Sequence, residues 1–129
     1  MGKRRRSSNT KLKVLEKDVL KTVVQYLELK NVPVTRLNNI GIPTESGGMR
    51  PVQIKGIPDL VVQFNVNDLP ILVWIECKST TGKQSLYQQI FEKNVNNFGG
   101  FYFIVRGVED LEISLNSVVT NIKARIANG

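Results

Sequence analysis

The sequence predicts one α/β domain: a mixed β-sheet flanked by helices, with elements in the order α-β-β-β-α-β-α. Three observations predict it. Apolar residues recur at helical spacing in some stretches and at strand spacing or in short runs in others, so the two kinds of element are interleaved. Two of the strand-like runs are joined by NVNDLP alone, a connection that argues for an antiparallel hairpin. The second of them is apolar on both faces until its end, as expected of a central, covered strand. The chain has 129 residues, enough for a single domain with its own core. Hydrophobic residues make up 41% and charged residues 22%, an ordinary balance for a globular protein.

Val14 to Leu29 forms the first helix. Leu15, Val19, Leu20, Val23, Val24 and Leu27 share one face, while Lys17, Lys21, Gln25 and Glu28 fall on the other. Glu16 sits at the edge of the apolar face. Asn31 and Pro33 stop the helix, since proline disfavours helical geometry in its predecessor. Val34 to Leu37 alternates and reads as a short strand. The following stretch, NNIGIPTESGGMRPVQIKGIP, is rich in Gly, Pro, Ser and Asn and is expected to be a long loop.

Asp59 to Val66 and Ile71 to Lys78 are the two hairpin strands, rich in Val, Ile, Leu and aromatic residues. Alternation puts Leu72, Trp74, Glu76 and Lys78 on one face and Ile71, Val73, Ile75 and Cys77 on the other. STTGKQS is a turn. Gln84 to Phe98 is the second helix, with an apolar stripe of Leu86, Ile90, Phe91, Val95 and Phe98, stopped by Gly99 and Gly100. Phe101 to Arg106 is a buried strand. GVEDLEI reads as a turn with some extended structure. Ser114 then caps a last helix that turns Leu115, Val118, Val119, Ile122 and Ile126 inward. No internal repeat or domain-splitting linker is visible.

The net charge of +7 is unevenly placed. Of 18 basic residues, Lys3, Arg4, Arg5, Arg6, Lys11 and Lys13 lie within 1–13, where there is no acid. That leaves 12 basic against 11 acidic residues over 14–129, nearly neutral. Residues 1–13 are therefore a basic arm and 14–129 the folded domain. Such an arm suits phosphate contact through counterion release, a sequence-independent attraction. A solubilising tail and a targeting segment are the other readings. No apolar run approaches the ~20 residues of a membrane helix. The start lacks the apolar region of a secretory signal. Cys77, the single cysteine, fits a reducing cytoplasmic setting, in which a phage-encoded protein would also work.

Three charges interrupt the hairpin strands: Asp59, Glu76 and Lys78. A buried carboxylate or ammonium is costly unless it finds a partner or a metal. The chain has no histidine, which excludes Ser-His and Cys-His catalysis and histidine metal sites. One thiol excludes cysteine-bound zinc, and Cys77 reads as a small packed hydrophobe. No Gly-rich phosphate loop is present. Carboxylate and lysine chemistry remains. Two carboxylates suit a hard ion, Mg2+ (with Mn2+ a substitute), which keeps several waters and binds substrate phosphate. A lysine on the same face, two residues after an acid, could orient a water or stabilise charge developing on phosphate. Arg36, Arg50 and Lys55, and more loosely Lys83, are cations able to grip a phosphate backbone, or else ordinary solvated charges. The residues alone leave a buried ion pair without catalysis open as well.

Pro58-Asp59, with Glu76-Cys77-Lys78 following, resembles the PD-(D/E)XK nuclease signature of restriction-endonuclease-like folds. The wider pattern is similar to the virus-type replication-repair nuclease branch, VRR-NUC, in its stand-alone form. A leading helix, Arg36 and Asn38, Gly56 before Pro58-Asp59, Gly82 after Lys78, and Gln88 on the next helix carry the likeness over about residues 14–112. The resemblance implies metal-dependent DNA cleavage. Asp59, Glu76 and the backbone carbonyl of Cys77 would hold the metal, and Lys78 would act at the nucleophile. Glu16 would be a further metal-holding acid, and Gln88 would support Lys78 or lie near phosphate. It also implies a homodimer that cuts four-way (Holliday) junctions or other branched DNA, in keeping with the absence of any sequence-reading segment. The alternatives are a silent nucleic-acid-binding module and a nonspecific or sequence-specific nuclease.

Overall fold

A computed structural model describes residues 14–37, 41–51 and 55–129. The elements run α1 (Glu16–Leu29), β1 (Val34–Arg36), β2 (Gly41–Pro43), β3 (Met49–Pro51), β4 (Leu60–Val66), β5 (Leu69–Cys77), α2 (Leu86–Asn97), β6 (Phe101–Val105) and α3 (Val108–Asn128). Four strands form one sheet in the order β1-β4-β5-β6. The β1–β4 and β4–β5 pairs are antiparallel and β5–β6 is parallel, so the sheet is mixed, as the sequence implied.

One face of this sheet carries the core. Leu60, Val62 and Val66 of β4, Val73, Ile75 and Cys77 of β5, and Val105 of β6 pack with Val19, Val23, Val24 and Leu27 of α1 and Leu111, Val118 and Ile122 of α3. The opposite face of β5 and β6 is covered by α2, where Phe91 meets Trp74 edge-on at 5.2 Å and lies 6.2 Å from Tyr102. Trp74 and Tyr102 are register partners, so one ring from the helix bridges two strands.

The ends of the elements follow from local chemistry. Asn31 takes a left-handed conformation after α1, and the Asn31 and Val32 amides donate back to Glu28 and Leu27, closing the helix where Asn31 and Pro33 were expected to. Asn67 and Asp68 both have positive φ and join β4 to β5 in a two-residue turn. That geometry matches the right-handed twist of a hairpin. Val66 pairs with Leu69, so both strands reach further into NVNDLP than its composition suggested.

Three expectations need correction. The stretch 38–58 is not loop throughout: β2 and β3 pair in a separate two-stranded ladder, with Ile42 opposite Arg50. Its Gly and Ser residues supply the turn, where Thr44 N donates to Gly48 O at 2.8 Å and Gly47 has φ near +90°. The element order therefore gains two strands over α-β-β-β-α-β-α. GVEDLEI is also no turn, because α3 starts at Val108. Its beginning is held by Asp110, whose carboxylate accepts from Arg106 N at 2.9 Å. Ser114 does not cap a helix; it lies within α3, its hydroxyl donating to Asp110 O at 2.8 Å. Finally, α2 does not bury its whole apolar stripe. Leu86 and Ile90 are exposed, and Phe98 is 92% exposed. Among the described residues no helix is long and apolar enough to cross a membrane.

Candidate functional site

Asp59, Glu76 and Lys78 come together at the end of β4 and β5 nearest the start of α1. Asp59 precedes the Leu60–Ile75 pair by one residue, and its carboxylate accepts from Cys77 N at 2.8 Å. This fixes the acid against β5. The neighbouring strand supports it from the other side, where Leu37 N donates to Asp59 O at 2.9 Å. Glu76 and Trp74 alternate with the core residues Val73, Ile75 and Cys77, so Glu76 faces α2.

Glu76 is 2% exposed, Lys78 7% and Asp59 8%. Lys78 Nζ lies 3.4 Å from Glu76 Oε2 and 3.8 Å from Glu16 Oε1. Glu16, the first residue of α1, is half exposed and reaches the site through this lysine. Gln88 was expected to support Lys78 or to lie near phosphate. Its side-chain amide donates to Glu76 Oε2, the oxygen that also meets Lys78, while its carbonyl oxygen accepts from Ser85 N at 2.8 Å. The Ser85 hydroxyl accepts from Gln88 N, completing a reciprocal cap on the first turn of α2. The cap thus sets the rotamer that delivers Gln88 to Glu76.

The two oxygens of Glu76 are unequal. Oε2 meets Gln88 and Lys78, whereas Oε1 is buried without any hydrogen-bond partner. Burial raises the Glu76 pKa to about 7, with the Asp59 charge adding to the rise and Lys78 opposing it. Burial likewise pushes the Cys77 thiol well above its usual range, in keeping with its place in the core. Among the described residues no group of three or more Asp, Glu or Cys side chains converges to cage a metal ion. The donor set suits an ion that draws its remaining ligands from water and phosphate: two hard carboxylates, one with a bare oxygen.

Two of the expected cations lie beside the site, Arg36 and Lys55. Arg36 is exposed and pairs with Leu60, next to Asp59. Lys55 is exposed, with its ammonium 4.9 Å from the centre of the Tyr87 ring, beside Gln88. Gly56 has φ near +80°, and a Cβ there would lie 2.4 Å from the Tyr87 carbonyl oxygen. Only glycine lets the segment leading to Asp59 dock on α2 so closely. Lys83 is exposed in the turn before α2. Arg50 lies on β3. Lys3, Arg4, Arg5, Arg6 and Asn38 fall outside the described residues.

Sequence reasoning missed two residues that make contacts around the site, Arg106 and Gln84. Arg106 donates to the carbonyl oxygens of Ser79 and Gly82, in the turn that follows Lys78. Gln84 donates to Glu92 and to the Tyr102 hydroxyl, tying the start of α2 to β6. A charge ending a buried strand, as Arg106 ends FYFIVR, was the one available signal; Gln84 had none. Comparison of the chain with family models, with curated proteins and with solved structures finds no match.

Proposed function

We propose that this chain is a Mg2+-dependent DNA endonuclease of the PD-(D/E)XK kind, akin to the VRR-NUC branch. The observation that carries the reading is the bare Oε1 of Glu76. An unpartnered oxygen on a buried carboxylate beside a second carboxylate is costly, and a divalent cation relieves both the desolvation and the repulsion. Asp59, Glu76 and the Cys77 backbone carbonyl would hold the ion, with Glu16 a further ligand directly or through water. Bound there, Mg2+ would polarise a phosphoryl oxygen and acidify a water molecule.

The protein's own groups do the rest. Lys78, anchored between Glu76 and Glu16, can donate a hydrogen bond to the attacking water or to the phosphoryl oxygen on which charge accumulates. Gln88 keeps Glu76 Oε2 occupied, which leaves Oε1 for the metal. Arg36, Arg50, Lys55 and Lys83 would contact phosphates around the site, and the arm at Lys3, Arg4, Arg5 and Arg6 would add nonspecific affinity. A homodimer with two such sites related by a two-fold axis would cut paired strands of a branched substrate, a four-way junction above all.

The second reading is a silent nucleic-acid-binding module. The lack of a three-acid cluster among the described residues favours it. Incubating the protein with four-way junctions and linear duplexes of equal length in Mg2+ tests the proposal. Faster cutting of the junction is expected. Equal rates would remove junction selectivity, and no cutting in Mg2+ or Mn2+ would leave the binding module.

A further inference from the structure

We infer that Arg106 is a positioning residue for Lys78, acting through the turn Ser79–Gly82; this rests on the proposed role of Lys78 in cleavage. Lys78 leaves the sheet with its amide donating to Val105 O at 3.0 Å, so the end of β5 is tied to the end of β6. The residue that follows β6 is Arg106. Its guanidinium reaches back across this junction, and Nη1 donates to Ser79 O at 2.5 Å and Gly82 O at 2.9 Å. Gly82 N also donates to Ser79 O, at 3.2 Å, so one carbonyl is shared by the turn and the clamp.

The turn in question lies against the lysine stem. A Cβ on Gly82 would sit 3.5 Å from Lys78 Cδ and 3.0 Å from Ser79 Oγ. The backbone at Gly82 is therefore one wall of the space that Lys78 occupies. The other limits are Glu76 and Glu16, which fix the ammonium end. Arg106 is itself held at its backbone, where N donates to Asp110 at the start of α3. The result is a continuous path from α3 through Arg106 and the turn to the stem of Lys78. A lysine has four rotatable side-chain bonds, so salt bridges alone leave its stem free to shift. Closing the turn over the stem removes that freedom. Arg106 is exposed and carries no core packing, so its removal need not unfold the chain.

The experiment reads Lys78 directly. Acylation of amines in metal-free, DNA-free protein, followed by peptide mass spectrometry, gives a rate for Lys78 against the exposed internal controls Lys21 and Lys93. In Arg106→Ala the Lys78 rate should rise on the order of fivefold or more, with the controls unchanged. Arg106→Gln, which keeps a donor but shortens it, provides the same test should the alanine variant fold poorly. In Mg2+, kcat on DNA should fall on the order of tenfold while KM changes little. Unchanged Lys78 acylation in a folded variant overturns the inference. A rise in KM with unchanged acylation also overturns it, by making Arg106 a phosphate contact. Because acylation needs neither metal nor DNA, its outcome does not depend on whether the protein cuts.

Discussion

Glu76 has two donors on one carboxylate oxygen and none on the other, and this asymmetry has consequences for the metal-free protein. With its pKa raised to about 7 by burial and by Asp59, the folded state favours the protonated acid. Stability from this group is fully present below the unfolded value near 4.5 and is lost as pH rises to about 7, then stays flat. Urea titrations of wild type and Glu76→Gln across this window should differ by a pH-dependent amount on the order of 1–3 kcal/mol. A pH-independent difference would mean that Glu76 titrates as an ordinary exposed acid. At this scale much was legible beforehand. Asp59, Glu76 and Lys78 were visible as charges in apolar strands, and alternation correctly put Glu76 opposite Cys77. The partner of Gln88 was not legible, because helical spacing does not say which side chain across the sheet an amide will reach. The partners of Arg106 were not legible either: they are the carbonyl groups of Ser79 and Gly82, which leave no mark in side-chain patterning, so only its place at the end of a buried strand singled it out.

Among the elements, α1, the β4–β5 hairpin and β6 follow their sequence patterns because each shows either one clear period or a short apolar run bounded by turn residues. α3 was cut short since Glu109, Asp110 and Glu112 masked Leu111, which is fully buried and in phase with Leu115, Val118 and Ile122. Acids in a first helical turn are favourable for the helix dipole, so the charges that looked like a turn belong to a helix start. The opposite error was made at α2, where apolar spacing suggested burial and most of the stripe faces outward. Periodicity reports a face but not whether the fold covers it. Substitutions separate the two cases. Leu111→Ala should cost about 2–5 kcal/mol in chemical denaturation, as a buried leucine does. Phe98→Ala should cost no more than ~0.5 kcal/mol in the monomer. A loss at Phe98 comparable with that at Leu111 would show this face to be covered.

At the scale of the whole molecule, charge and chemistry are separated along the chain. On the proposed function, cleavage would belong to a centre in a nearly neutral domain and general affinity to the basic residues before Val14. Deleting residues 2–6 removes four cations and should reduce the slope of log K against log[salt] for DNA by up to ~4, without altering Mg2+ binding. An unchanged slope would place the arm away from phosphate. The mixed sheet was readable from the order of elements, whereas the β2–β3 ladder was not, because Gly41, Pro43 and Pro51 give these short strands the composition of a loop. The central claim is that Asp59, Glu76 and Lys78 form a metal-dependent cutting centre. Its most direct test is the single-turnover cleavage rate of a four-way junction in Mg2+ by wild type and by Lys78→Ala, at protein concentrations that saturate the DNA. Wild type should cut, and the variant should bind the junction but cut on the order of a hundredfold or more slowly. Equal rates for the two proteins would contradict the assignment.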